Sequence, residues 1–177
     1  MRKFTTLIVL IIIFFLIYFI QSNIFSSFTL GGVMPNLFVI FVLFIGLFTS
    51  QSIGIGFGVI SGLLLDLLYG RVIGTTAIML CIIGYLGAYF DKNFSKESRI
   101  TIILMVVGAT IVFELGLYFI NSIILKFDRE YTYFLKILLV EIIYNVFLTI
   151  IFYPLMQKTG YLLERSFKRN NILTRYF

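Results

Sequence analysis

The chain has 177 residues, of which 60% are hydrophobic and 12% are charged, and its formal net charge is +6. Soluble domains average roughly 45–50% apolar and about 25% charged residues, and a protein this small has no interior large enough to hide the additional apolar surface from water. The composition therefore excludes a soluble enzyme, a disordered tail and a disulfide-stapled secreted module, and it indicates a protein whose solvent is lipid.

Six apolar segments follow one another along the chain, and each is a predicted membrane span. A transmembrane helix needs about 20 mostly apolar residues. Pro35 suits the first turn of the second helix, where a missing N–H costs little, and the short connectors predict antiparallel neighbours. The chain is therefore predicted to be a single all-α integral membrane domain over residues 1–177. Its six spans are residues 4–20, 35–49, 53–69, 72–90, 100–125 and 137–156.

The first apolar segment has one feature of a signal peptide, because Arg2 and Lys3 precede it. Its apolar run is longer than the roughly 7–15 residues of a signal peptide, and no small-x-small cleavage pattern follows it. This segment is therefore predicted to remain attached as the first helix.

With six spans, both termini lie on one side of the membrane, and the basic residues indicate which side. Short cytoplasmic loops carry an excess of Lys and Arg. The side that holds the termini has ten of the 14 such residues: Arg2, Lys3, Lys92, Lys96, Arg99, Lys158, Arg165, Lys168, Arg169 and Arg175. The other side has Arg71, Lys126, Arg129 and Lys136. Both termini are therefore predicted to be cytoplasmic. Topology and contact with anionic lipid headgroups account for the positive charge without a nucleic-acid partner.

The third span carries a ladder of small residues at intervals of four. Residues four apart lie on nearly the same face of a helix, and faces without side chains let another helix approach closely in lipid. The groove predicts packing of helices within the bundle or docking of a partner's helix, and the last two glycines are expected to shape the turn into the fourth span. A dinucleotide-binding fingerprint is a poor match, because no strand precedes the glycines. The ladder consists of Gly54, Gly58, Gly62, Asp66, Gly70 and Gly74.

Three acidic residues, Asp66, Glu114 and Glu141, lie within predicted spans. An ionised carboxylate in the middle of a bilayer costs about 2.5–3.5 kcal/mol on insertion scales. These side chains are therefore expected to face the interior of the bundle. Glu114 is predicted to be hydrogen-bonded or protonated, since no cation lies near it in the sequence.

Polar neighbours for the other two acids are found near the outer ends of the spans. Arg71, Lys126 and Lys136 could pair with Asp66 or Glu141, and Asn145 lies one turn after Glu141 on the same helix face. The acids could form a proton or ion pathway, or a polar clamp that holds the bundle or a partner helix in register. Because a pathway needs polar groups in sequence across the bilayer, the clamp is the preferred interpretation.

The sequence offers little catalytic chemistry. His is absent, and Cys81 is the single cysteine, which removes the usual general base and the common soft-metal ligand sets. No catalytic, metal-binding or cofactor-binding residue is predicted, and Cys81 is interpreted as a small core residue.

These motifs resemble those of the rod shape-determining protein MreD family over the whole chain. The part of the ladder from Gly58 to Gly74 follows the family's third-helix signature. Two residues depart from the family's pattern: Glu114 in the fifth span stands where a shorter Asp is common, and Arg71 stands where small polar residues are usual. The residues that carry the resemblance are Pro35-Asn36-Leu37, Gly58, Gly62, Asp66, Gly70 and Gly74, Tyr85-Leu86, Glu114 and Asn145.

The resemblance implies a multi-pass protein of the bacterial inner membrane that acts in the elongation machinery. The expected partner is the bitopic protein MreC, and a second copy of the chain is a possible partner. MreB filaments, the glycosyltransferase RodA and its transpeptidase are expected to act alongside it. The implied role is non-catalytic scaffolding of lateral peptidoglycan synthesis, and thus of cell shape.

The family's fold is similar to that of the substrate-binding subunits of energy-coupling factor transporters, which makes vitamin capture the alternative function. Such subunits usually carry an Ala-xxx-Ala groove on the first helix. The first helix here has neither alanine nor glycine, which argues against transport. A membrane enzyme acting on a lipid-linked substrate is a third possibility, and the lack of a suitable base and metal set disfavours it.

Overall fold

A computed structural model describes residues 2–69, 72–94, 96, 98–125 and 131–167 of the chain. Within these residues the chain forms six α-helices, and a short π-helix, Ile20–Ile24, continues the first of them. The α-helices are α1 Arg2–Phe19, α2 Leu37–Phe48, α3 Gln51–Tyr69, α4 Thr75–Asn93, α5 Arg99–Leu125 and α6 Tyr131–Phe167.

The predicted all-α class is confirmed for the part of the chain that the structure describes. Three helices, α3, α5 and α6, are long and apolar enough to cross a membrane, while α2 and the described apolar stretch around α1 are shorter. The number of crossings and the side on which the termini lie remain predictions.

Two helices begin later than the sequence pattern indicated, because capping residues define their first turns. The Asn36 side chain accepts a hydrogen bond from the backbone N–H of Val39 at 3.3 Å, so α2 begins at Leu37 and Pro35 precedes the cap. The expectation that Pro35 lies in the first helical turn is therefore wrong. Gly74 adopts a left-handed conformation with φ of +103° and precedes the first residue of α4, which rules out a helix from residue 72.

Helix α2 is the centre of the core. Eleven of its 12 residues are buried, and it packs against α3, α4, α5 and α6. Phe38 has no exposed surface and its ring packs against Phe14 of α1 at 5.2 Å between centroids. An unbroken apolar run suits a helix that is surrounded on all sides, which explains why α2 lacks a polar face.

The outer helices turn apolar side chains outward. The exposed fractions of Ile12 in α1, Phe119 in α5 and Ile143 in α6 are 58%, 61% and 65%. Soluble monomers rarely expose large apolar patches, so these outward apolar side chains fit contact with lipid.

At one end of the bundle, Lys96 joins the α4–α5 connection to α6. Its Nζ lies 2.9 Å from Asp91 and 2.7 Å from Glu164, and it also lies over the ring of Phe48 at 5.1 Å. The last turn of α2, the start of α5 and the last turns of α6 therefore meet at this end, which we call the basic end.

We expect Phe38→Ala to lower the free energy of unfolding by about 3 kcal/mol, because it leaves a cavity beside Phe14 in the interior. Phe119→Ala is the matched control, since it removes the same atoms from an outward face and should change stability little. Unfolding of the purified protein in mixed micelles measures both. Equal losses for the two variants would contradict the central position of α2.

Candidate functional site

The glycine face of α3 lies directly against α4. Gly54, Gly58 and Gly62 are all buried. A Cβ atom built on Gly58 would come under 3.0 Å from the carbonyl oxygen of Leu80, and one on Gly62 would come equally close to the backbone of Ala77. Real Cβ atoms do not reach such distances, so only glycine allows this approach. The groove of the ladder is thus filled by a helix of the same chain.

Helix α4 makes the same kind of contact with α2 as well as with α3. A Cβ atom on Gly84 would meet the backbone of Gly54 in α3, and one on Gly87 would meet that of Leu43 in α2. A Cβ on Gly46 of α2 would in turn meet the backbone of α4. Helices α2, α4 and α3 therefore form a layer in which three backbones touch, which we call the glycine layer.

The sequence analysis did not identify Gly46, Gly84 and Gly87. A pattern was present on α4, where Ala77, Gly84 and Ala88 recur at helical spacing and are all buried. Small residues at such spacing are typical of helix contacts in membranes. The pattern was less regular than the ladder of α3, which is why it was missed.

Asp66 caps the start of α4 from the neighbouring helix. It is 2% exposed. Its Oδ2 accepts hydrogen bonds from the backbone N–H of Gly74 at 2.8 Å and of Ala77 at 3.2 Å, and Oδ1 accepts one from Thr76 at 3.2 Å. The first N–H groups of a helix have no partners within the helix, and a negative charge near them is favourable. Asp66 of α3 therefore holds the first turn of α4 in place.

Of the three proposed cationic partners of Asp66 and Glu141, Lys136 lies among the described residues. Among the described residues, Lys136 forms no ion pair with either acid, and the ion pairs there are those of Lys96. Arg71, Lys126 and also Gly70, which was expected to shape the turn, lie outside the described residues. Gly74 lies in that turn at its positive φ.

A second polar cluster caps the start of α2. The backbone N–H of Asn36 donates to Oδ1 of Asn145 in α6 at 2.9 Å, and that of Leu37 donates to Oε1 of Gln21 at 3.0 Å. Asn145 also donates from Nδ2 to the hydroxyl of Thr110 in α5 at 3.0 Å. Buried Pro35, just before the cap, has no N–H to satisfy. Side chains from two other segments, the π-helix and α6, therefore hold the N-terminus of α2, and Thr110 of α5 holds Asn145 in turn.

The two remaining acids meet beside this cap. Glu141 is 4% exposed, and its carboxyl group interacts with the side chains of Glu114, Asn145 and Asn36. Its Oε1 atom is buried, and no residue in the described part of the chain forms a hydrogen bond with it. Two adjacent carboxyl groups repel each other when both are ionised. The structure thus brings together four of the residues that the sequence analysis singled out.

Gln21 and Thr110 belong to this cluster and were not predicted. Gln21 lies in the π-helix that follows α1, and π-helical turns are frequent at functional sites. Neither residue shows a periodic pattern in the sequence, so only the fold reveals them. Among the described residues, no group of three or more His, Cys, Asp or Glu side chains is arranged to hold a metal ion.

Comparison with known protein families identifies the chain. A family model described as rod shape-determining protein MreD matches residues 1–161. The chain belongs to the MreD family. The match includes the glycine layer, both capping clusters and most of α6. No curated protein and no solved structure matches the chain.

Membership of the MreD family assigns the protein to the determination of rod shape, in the context of peptidoglycan synthesis by the elongation machinery. It is a family of membrane proteins with a structural role in shape and no known catalytic activity. The apolar outward faces of the helices fit that description.

We expect Gly58→Ala to destabilise the protein and Gly56→Ala to stabilise it. The new methyl group of Gly58→Ala meets the α4 backbone, whereas the one of Gly56→Ala, two residues away on the same helix, meets nothing within 4 Å. Overpacking costs about 1–3 kcal/mol, and replacing Gly by Ala in an open helix position gains up to about 1 kcal/mol. Denaturant unfolding in micelles measures the difference, and a shift of the same sign in both variants would refute the assigned contact.

Asp66→Ala is expected to loosen the first turn of α4 more than Asp66→Asn does. Alanine leaves three backbone N–H groups without an acceptor, at about 1–3 kcal/mol for each buried group, whereas asparagine keeps one acceptor oxygen. Hydrogen exchange of the amides of residues 74–77 reports this directly, with amides in the middle of α5 as the internal control. Unchanged exchange at residues 74–77 in both variants would show that Asp66 is not the cap.

Proposed function

We propose that the protein is a non-catalytic membrane scaffold of the bacterial elongation machinery, which supports lateral peptidoglycan synthesis and cell shape through helix–helix docking with MreC. The observation that carries the proposal is the MreD family match over residues 1–161. MreB filaments, RodA and its transpeptidase would be reached indirectly through the assembled complex.

The engagement of the polar side chains supports a structural role. Asp66 is occupied by three backbone donors of α4. Both ends of the Asn145 amide are occupied as well, one by the backbone of Asn36 and the other by Thr110. Side chains that hold helix ends in this way give a rigid bundle, and rigidity is what a docking platform requires. This arrangement favours the polar clamp over a proton or ion pathway.

Docking of a partner would use the outward faces of the bundle, because the ladder of α3 is filled by α4. Apolar side chains cover these faces on α1, α5 and α6. Helices associate in lipid through close packing of such surfaces. A membrane helix of MreC, or a second copy of this chain, would lie against one of them.

We also propose that all six helices cross the cytoplasmic membrane and that both termini are cytoplasmic. The basic end of the bundle supports this orientation, since it gathers Lys96 and Arg99 near the last turns of α6. Lys158 and Arg165 belong to the same part of α6, and positive residues are retained on the cytoplasmic side.

Labelling of single cysteines tests the orientation. In a Cys81→Ser background, which removes the single native cysteine, Ser26→Cys and Arg165→Cys introduce thiols at exposed positions before α2 and near the end of α6. An impermeant maleimide should label the thiol at position 26 in intact cells and the one at position 165 after permeabilisation. Labelling of both in intact cells would refute the proposed orientation.

Co-purification tests the scaffold role. The tagged chain, expressed with MreC from the same genome and extracted in mild detergent, should elute as one complex with it, and should restore rod shape to cells that lack the native copy. A monodisperse, folded chain that elutes apart from MreC would contradict the docking proposal. Tight capture of a vitamin by the isolated chain would favour transport instead.

A further inference from the structure

A cleft of about 420 Å³ opens between α5 and α6 at the basic end. Its volume falls within the range of about 300–1,000 Å³ that is common for small-ligand sites. Neither capping cluster nor the glycine layer contributes to it. The residues around it are Arg99 and Ile103 of α5 and Thr149, Ile150, Ile151, Tyr153 and Pro154 of α6.

Pro154 lies inside α6 and borders the cleft. A proline inside a helix has no N–H for the carbonyl four residues earlier, and its ring pushes that carbonyl aside. Here the carbonyl is that of Ile150, which borders the same cleft. A backbone acceptor beside the cleft therefore lacks the N–H donor that it would have in a helix without proline.

Arg99 is the cation of the cleft. Its guanidinium lies over the ring of Tyr153 at 5.4 Å from the centroid, which holds it at the edge of the opening. Lys96, three residues earlier, is neutralised by Asp91 and Glu164. Arg99 is exposed, and the ion pairs among the described residues are those of Lys96, so no described carboxylate neutralises its guanidinium.

The surroundings of the cleft are apolar. Ile150 and Ile151, which line it, are 56% and 51% exposed. A water-soluble anion could contact only the guanidinium of Arg99. A lipid could contact the guanidinium through its phosphate and the apolar side chains through an acyl chain. A guanidinium binds phosphate oxygens in pairs, and an acyl chain fits isoleucine surfaces.

We propose that this cleft binds one anionic phospholipid, with its phosphate on Arg99 and an acyl chain along Ile103, Ile150 and Ile151. The orientation proposed above places the site in the cytoplasmic leaflet, where anionic lipids attract basic residues. The site goes beyond the scaffold role and requires only that α5 and α6 lie in a bilayer, so it stands or falls independently of MreC docking.

Photocrosslinking of the full-length protein tests the site. The protein is reconstituted in phosphatidylcholine vesicles that contain a trace of a photoreactive lipid. This probe is either phosphatidylglycerol or phosphatidylcholine, each with the same photoreactive acyl chain. The crosslinked residues are mapped by mass spectrometry. Phosphatidylglycerol should label residues of the cleft preferentially, and unlabelled phosphatidylglycerol should compete. Equal labelling by the two lipids, or labelling spread evenly over all helices, would overturn the proposal.

Matched variants separate the charge from the cleft itself. Arg99→Gln should reduce cleft labelling by about tenfold, the effect of one lost charge-assisted contact. Lys158→Gln, which removes an exposed cation of α6 outside the cleft, should leave labelling unchanged. Equal labelling of wild type and Arg99→Gln would overturn the phosphate contact.

A second variant keeps the test decisive if Arg99→Gln does not fold. Ile151→Trp fills the cleft from an exposed position and leaves Arg99 in place, and it should abolish cleft labelling without changing the unfolding midpoint. Retained labelling in this variant would overturn the acyl-chain placement. Stronger competition by a long-chain prenyl phosphate than by phosphatidylglycerol would overturn the assignment to a phospholipid.

Discussion

Direct contact between helix backbones is the constraint on which this structure depends. In lipid, apolar side chains gain little from leaving their solvent, so helices associate through close packing and through polar contacts. The glycine layer supplies the close packing, because Gly58 and Gly62 bring α3 onto α4, and Gly87 brings α4 onto α2. The outer helices α1, α5 and α6 then surround α2, which leaves their apolar faces free for lipid and for partners.

Polar side chains meet a second requirement, because a helix that begins inside the protein has backbone N–H groups that need acceptors. Helix α2 has 12 residues and at about 1.5 Å per residue it is only about 18 Å long, less than the roughly 30 Å of the hydrocarbon core. Backbone N–H groups at such depth must be satisfied within the protein. Asn145 and Gln21 do this for α2, and Asp66 does it for α4. Asp66, one of the three acids that suggest an ion pathway in the sequence, thus acts as a helix cap.

The sequence predicted the helical class and the four-residue ladder well, because both follow from local periodicity. It placed the starts of α2 and α4 too early, since apolar runs do not reveal caps such as Asn36 and Gly74. Contacts between segments that are distant in the sequence could not be predicted from it. The pairing of Glu114 with Glu141 and the role of Gln21 depend on how three helices are arranged, and no spacing along the chain encodes that arrangement.

A double-mutant cycle on Gly54 and Gly84 tests the backbone contact most directly. A Cβ on either residue would meet the backbone of the other, so once one alanine has separated the helices, the second should cost less. We predict that Gly54→Ala with Gly84→Ala destabilises the protein by less than the sum of the single variants, with a coupling of about 0.5–3 kcal/mol. Additivity within about 0.3–0.5 kcal/mol, as for distant sites, would contradict the account.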